Sequence, residues 1–89
     1  MEVLLSKEFR ENFSCLDKQI QKQADKQIII FKNNPFYPSL RTEKLVPKSK
    51  EIWSFRIDRK YRVAFEYIDP NTVLFLTIGP HDWIYKIKF

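Results

Sequence analysis

Eighty-nine residues with 44% hydrophobic and 16% aromatic side chains, eight of them Phe, describe one domain (residues 1–89) with an aromatic-rich core and exclude a disordered chain. A single glycine excludes a glycine-rich phosphate loop, and a lone cysteine, Cys15, excludes an internal disulfide and a Cys/His zinc cluster, so no metal and no cofactor is expected. The net charge of +5 is concentrated in residues 34–68, with eight Lys/Arg against four Asp/Glu, which fits either a phosphate-bearing or acidic partner or a solvated face.

Glu2–Leu5 reads as a short first strand. The charged start, with Glu2, Lys7 and Glu8, is unlike a signal peptide, and the apolar run Ile28–Phe31 is far too short for a membrane span. A soluble, cytoplasmic protein without membrane contact is expected. Ser6 has N-cap chemistry, and Phe9 and Phe13 follow at helical spacing, so Ser6–Cys15 reads as a short helix. Asp17 caps a second helix, whose Ile20, Ala24, Ile28 and Phe31 share one face while Gln and Lys fill the rest; Asn33-Asn34-Pro35 ends it. The two form an antiparallel helical hairpin.

Pro35, Pro38 and Pro47 make the next stretch irregular, with Leu40 and Leu45 tucked onto the core. From Ile52 the period changes to two. Trp53, Phe55 and Ile57 alternate with Ser54 and Arg56; after a turn at Asp58-Arg59-Lys60, Tyr61, Val63, Phe65 and Tyr67 alternate with Arg62, Ala64 and Glu66. Asp69-Pro70-Asn71 makes a second turn. Val73–Ile78 is apolar on both faces and reads as the central strand, Gly79-Pro80 breaks it, and Trp83–Ile87 reads as a last strand. The expected class is α+β: an N-terminal strand and a helical hairpin packed on one face of an antiparallel sheet, with the other face free for function.

Alternation places Ser54 and Arg56 on one face of their strand, and Arg62, Ala64 and Glu66 on one face of the next. Arg56 and Arg62 on an exposed sheet face suit a phosphate clamp, because guanidinium offers paired donors; the alternative is a surface arginine paired with Glu66. His81, the only histidine, follows the Gly79-Pro80 break. Imidazole ordinarily titrates near 6.5, which suits proton transfer, but a single histidine is also commonly structural. Tyr85 either stacks on a base or packs in the core, and Trp83 is assigned to the core. Glu43, in the basic stretch Arg41–Lys50, is either a surface ion-pair partner or a proton acceptor. Cys15 reads as a small apolar helix residue.

Three runs carry a resemblance. Tyr37-Pro38-Ser39-Leu40-Arg41-Thr42-Glu43-Lys44-Leu45 resembles the loop before the sheet in RelE/ParE-superfamily toxins. Ile52-Trp53-Ser54-Phe55-Arg56-Ile57 with Tyr61-Arg62-Val63 resembles that family's central hairpin, and Ile78-Gly79-Pro80-His81-Asp82-Trp83-Ile84-Tyr85 its final loop and strand. The resemblance spans nearly the whole chain. It implies the toxin of a type II toxin–antitoxin pair, bound by a cognate antitoxin. The RelE-like branch cleaves mRNA in the ribosomal A site without a metal. By position, Glu43, Arg62, His81 and Tyr85 match the reacting set of YoeB-like members, and Arg56 falls where RelE keeps a Lys. Arg41, Lys44, Lys48, Arg59 and Lys60 are the further RNA contacts expected. The set is mixed: RelE's second Lys is replaced by Ser54, YafQ-like members have more histidines, and three residues separate His81 from Tyr85, as in the YafQ spacing. The alternatives implied are a ParE-like gyrase inhibitor and a degenerate toxin kept as a binding protein.

Overall fold

A computed structural model of the chain describes residues 1–45 and 51–86. In chain order the elements are β1 (Glu2–Leu5), α1 (Lys7–Ser14), α2 (Lys18–Asn33), a 3-10 turn (Pro38–Leu40), β2 (Glu43–Lys44), β3 (Ile52–Arg56), β4 (Tyr61–Asp69), β5 (Thr72–Pro80) and α3 (His81–Lys86). The five strands form one sheet in the order β1-β5-β4-β3-β2, parallel between β1 and β5 and antiparallel elsewhere. This is the α+β class expected from the sequence.

Both helix starts follow from the capping residues. Ser6 Oγ accepts the Phe9 amide at 3.0 Å, and Asp17 Oδ1 accepts the Ile20 amide at 3.0 Å, each satisfying an N–H that the helix itself leaves free. The Ser6 hydroxyl also donates to the Leu76 carbonyl at 2.8 Å, tying the start of α1 to β5. On α2, Ala24 and Phe31 are buried and Ile20 and Ile28 half-buried, so the anticipated stripe faces inward.

Phe31 is the centre of the main core. Its ring lies 4.6 Å from Phe55 of β3, 4.9 Å from Phe65 of β4 and 5.4 Å from Phe75 of β5. One helix residue thus touches three adjacent strands. The centroid distances and tilted or offset planes suit aromatic pairs, which add stabilisation beyond area burial. Phe9, Val63, Val73 and Ile78 complete this layer.

Several sequence expectations are corrected. The segment read as a last strand, Trp83–Ile87, is helical through Lys86; Ile87 lies outside the described residues, as do Pro47 and Lys48. β5 is flanked by β1 and β4, so a further strand has no free neighbour beside it, and the chain folds back as α3. Gly79-Pro80 does not break β5. It forms the strand's end, with Gly79 opposite Arg62 and Pro80 opposite Tyr61. The middle strand of the sheet is β4, with β5 interior beside it. The proline-rich stretch is also less irregular than expected, since Glu43–Lys44 pairs with β3 as an edge strand.

The second sheet face is not wholly free. Leu45, Ile52, Ala64 and Ile84 form a small buried cluster there, with Leu76 packed against it. Ile84 is the residue through which α3 caps this face. Trp83, expected in the core, is 40% exposed. Its six-membered ring rests against Gly79 so closely that a β-carbon at that position would collide with it. The glycine is needed for this close approach and not for an unusual backbone angle. No helix among the described residues is long and apolar enough to cross a membrane.

Two outcomes test this packing. Phe31→Ala is expected to cost about 3–5 kcal/mol, as for other fully buried phenylalanines, read as a lower urea midpoint. Gly79→Ala is expected to push Trp83 outward at a cost of about 1–3 kcal/mol; tryptophan emission should shift to the red, whereas an unshifted spectrum would place the ring elsewhere.

Candidate functional site

The site grows out of strand parity. Phe55 and Val63 are buried in the main core, so their neighbours Arg56 and Arg62 point to the opposite face. In the β3–β4 register these two arginines are direct partners. Glu43 of β2 is the direct partner of Ser54, one alternation along the same face of β3 from Arg56. The sheet thereby brings Glu43, Arg56 and Arg62 together, and the two cations and the carboxylate act on one another electrostatically. Burial lowers the Arg62 guanidinium from its ordinary arginine pKa, Arg56 lowers it further, and Glu43 and Asp58 act to raise it.

Arg62 was expected on an exposed face. It is instead only 8% exposed. Its Nη1 donates to the carbonyls of Asp58 at 2.7 Å, Tyr61 at 3.1 Å and Arg59 at 3.3 Å, all from the β3–β4 turn or its edge. No ion pair joins it to Glu66 among the described residues. Ser54 Oγ and Arg56 Nε, also among the described residues, are buried without a hydrogen-bond partner. Two like charges set opposite each other cost a strand pair roughly 0.2–1 kcal/mol. The face therefore carries concentrated, underused donor capacity, which is the chemistry of an anion site.

His81 enters from the far side of the same turn. Its backbone amide donates to the Lys60 carbonyl, so the start of α3 is joined to the β3–β4 turn. The imidazole is half-exposed; its Nδ1 lies 3.3 Å from Asp82 Oδ1 and its ring 4.5 Å from the Tyr85 ring, one helical turn on. The helix, unlike the strand expected here, is what lets His81 and Tyr85 meet. Arg59, Lys60, Pro80, His81 and Asp82 line a cleft of about 310 Å³. Tyr85 is partly exposed, consistent with a contact residue and not with a core one.

The remaining basic residues are less uniform than the sequence suggests. Arg59 and Lys60 are exposed on the turn beside His81. Arg41 is exposed at the end of the 3-10 turn, in the left-handed region at φ 46°, which a non-glycine residue adopts only against local strain. Lys44 pairs with Glu51 at 2.9 Å. Lys48 lies outside the described residues.

Two supporting residues went unrecognised in the sequence. Gln27 of α2 is 5% exposed, and its Nε2 donates to the Arg56 carbonyl at 3.0 Å, tying the helix to the strand that bears Arg56. The signal was present: position 27 falls on the Ala24–Phe31 face, and a polar side chain on a buried stripe needs a partner. Asp58 was read only as a turn former, yet the turn it shapes supplies the acceptors for Arg62.

No family model matches the sequence, and no curated protein matches it. Solved structures do. A YafQ structure from E. coli strain BL21(DE3) superposes with a TM-score of 0.76 at 11% identity, covering 94% of this chain and 97% of that one. The YoeB/ParE toxin from Agrobacterium tumefaciens gives 0.73 at 16% identity, over 91% and 99% of the two chains. The RelB–RelE antitoxin–toxin complex from Methanococcus jannaschii gives 0.72 at 19% identity, over 92% and 94%. This chain has the RelE/ParE toxin fold. The face that bears Arg56 and Arg62 is the one turned away from the helical hairpin, and α3 packs on it through Ile84.

Removing one member of the facing pair should relieve its repulsion. Arg56→Gln is expected to stabilise the free protein by about 0.5 kcal/mol, within the range for a like-charge strand pair. The urea midpoint at low salt should rise, and the gain should shrink as salt screens the pair. A midpoint at or below that of the wild type would mean that Glu43 already neutralises the two arginines.

Proposed function

We propose that this protein is the toxin of a toxin–antitoxin pair and acts as a ribosome-dependent mRNA endoribonuclease in the cytoplasm, cutting RNA with side chains alone. The observation that carries the reading is the direct pairing of Arg56 with Arg62 beside Glu43. It supplies dense positive charge, with donor atoms to spare, where a phosphodiester would sit. The toxin fold of the neighbours supports the reading further, as does the resemblance in sequence of Glu43, Arg62, His81 and Tyr85 to the YoeB-like set.

The chemistry is a transesterification. Glu43 accepts the proton of the ribose 2′-OH, and the 2′-oxygen attacks the adjacent phosphorus. Arg62 and Arg56 hold the non-bridging oxygens as charge builds on the five-coordinate transition state. The bond from phosphorus to the 5′-oxygen breaks, and His81 gives that oxygen its proton. The products are a 2′,3′-cyclic phosphate and a free 5′-hydroxyl. Tyr85, packed against the imidazole, orients His81 and offers an aromatic face to a base. Arg59 and Lys60 line the cleft beside His81 and meet the flanking phosphates, with Arg41 further out and Lys44 contributing when released from Glu51.

A cognate antitoxin is the expected partner in the cell. The Staphylococcus aureus YoeB–YefM complex and the M. jannaschii RelB–RelE complex are the corresponding assemblies among the structural neighbours. Co-purification with the product of an adjacent reading frame checks this.

Primer extension on mRNA from cells expressing the protein tests the chemistry. His81→Ala is expected to reduce cleavage by about 10²–10⁴-fold, the usual weight of a proton-transfer group. Arg62→Ala should reduce it by about 10²–10³-fold, as when one transition-state donor is removed. Growth inhibition should fall in parallel. A fully toxic His81→Ala/Arg62→Ala double variant would overturn the reading. Intact mRNA together with inhibited DNA supercoiling would replace it with the gyrase-directed one.

A further inference from the structure

We infer that Asp58 is a positioning residue: through the β3–β4 turn it holds the Arg62 guanidinium in the orientation in which it meets phosphate. The inference rests on the functional reading above and adds to it a residue that would touch no substrate.

The turn is built around one carboxylate. Asp58 Oδ1 accepts the amide of Lys60 at 2.8 Å and the amide of Tyr61 at 2.8 Å, while the Ile57 amide donates to the Tyr61 carbonyl at 3.0 Å. An aspartate that binds its own downstream backbone in this way fixes the peptide planes of the turn. The Arg59 carbonyl lies on one of the planes so held, and the Asp58 and Tyr61 carbonyls lie on the planes immediately before and after them. Nη1 donates to the carbonyls of Asp58, Arg59 and Tyr61, the shortest of these bonds being to Asp58 itself at 2.7 Å. Each acceptor belongs to a residue at or between the Asp58 side chain and the amides it holds.

The arrangement divides the guanidinium in two. Nη1 is committed to backbone carbonyls, and Nε and Nη2, which have no hydrogen-bond partner among the described residues, remain as donors for an anion. A long arginine side chain has many rotamers, and anchoring one nitrogen removes most of them before the ligand arrives. Anchoring also keeps Arg62 from a competing partner. Glu43 acts on Arg62 electrostatically. A released guanidinium would be drawn to that carboxylate, and the site would lose its phosphate donor and occupy its base in one step. Asp58 therefore keeps the opposite charges of the site close without letting them pair.

Asn at position 58 retains the side-chain oxygen that accepts both amides and removes only the charge; Ala removes both. Wild type, Asp58→Asn, Asp58→Ala and Arg62→Ala should be compared as full-length protein in single-turnover cleavage of ribosome-bound mRNA at increasing protein concentration. Asp58→Ala is expected to lower the saturating rate by about 10²-fold, the effect of misplacing a positioned group. Asp58→Asn should stay within about fivefold of wild type, the scale of one lost exposed charge interaction. A second readout needs no activity: the ¹⁵N-labelled Arg62 guanidinium should give a restricted NMR signal in wild type and Asp58→Asn, and an averaged one in Asp58→Ala. An Asp58→Ala protein with the wild-type saturating rate overturns the inference, and so does an Asp58→Asn protein as impaired as Asp58→Ala. If Asp58→Ala does not fold at the assay temperature, wild type and Asp58→Asn decide, because a freely averaging Arg62 signal in either overturns it. An Arg62→Ala protein that cleaves normally overturns it as well, because Arg62 then meets no reacting phosphate. A wild-type protein that leaves the mRNA intact sinks the nuclease reading instead, while the guanidinium signal still reports on Asp58.

Discussion

The contact on which the rest depends is the insertion of Phe31 among Phe55, Phe65 and Phe75. One ring from α2 meets a phenylalanine from each of three neighbouring strands. Such a contact fixes the height of the helix over the sheet. It also fixes strand register, because a one-residue slip would turn a phenylalanine out of the core and an arginine into it. With Phe55 and Val63 held inside, Arg56 and Arg62 have only the other face available. The hydrophobic layer thus places the polar site without contacting its charged groups.

The site in turn costs the fold something. Two arginines oppose each other, one of them is largely buried, and a serine hydroxyl and an arginine Nε are enclosed without partners among the described residues. Buried polar groups are ordinarily satisfied, and departures from that rule concentrate where a protein binds or reacts. The carbonyls that meet Arg62 Nη1 offset part of this cost while leaving the charge in place. Gln27 secures the same strand from beneath by binding the Arg56 carbonyl.

What was legible in the sequence was what local chemistry decides. Ser6 and Asp17 announced the helix starts, period-two alternation announced the hairpin, and the Asp58 and Asp69 turns fell between the expected strands. The parity of Arg56 and Arg62 followed from the same alternation. What was missed depended on contacts distant in the chain. Trp83 and Tyr85 alternate like strand residues, but β5 already has neighbours on both sides, and the segment becomes a helix that seats Ile84 on Leu45, Ile52 and Ala64. Burial of Arg62 was equally hidden, since an arginine in an alternating strand resembles any surface arginine until the turn closes over it. The meeting of His81 with Tyr85 follows from that unforeseen helix.

β1 precedes the other described elements in the chain, yet its partner in the sheet is β5, the last of the described strands. The Ser6–Leu76 hydrogen bond that accompanies this pairing spans 70 residues of sequence. Closing so long a loop is entropically unfavourable and delays the contacts that reward it. During synthesis β1 must wait, unpaired, until β5 has left the ribosome. The β3–β4 contacts are local and can begin to form before then, but the sheet cannot be completed. The sheet therefore closes from its last strand back to its first, and the arrival of β5 decides when.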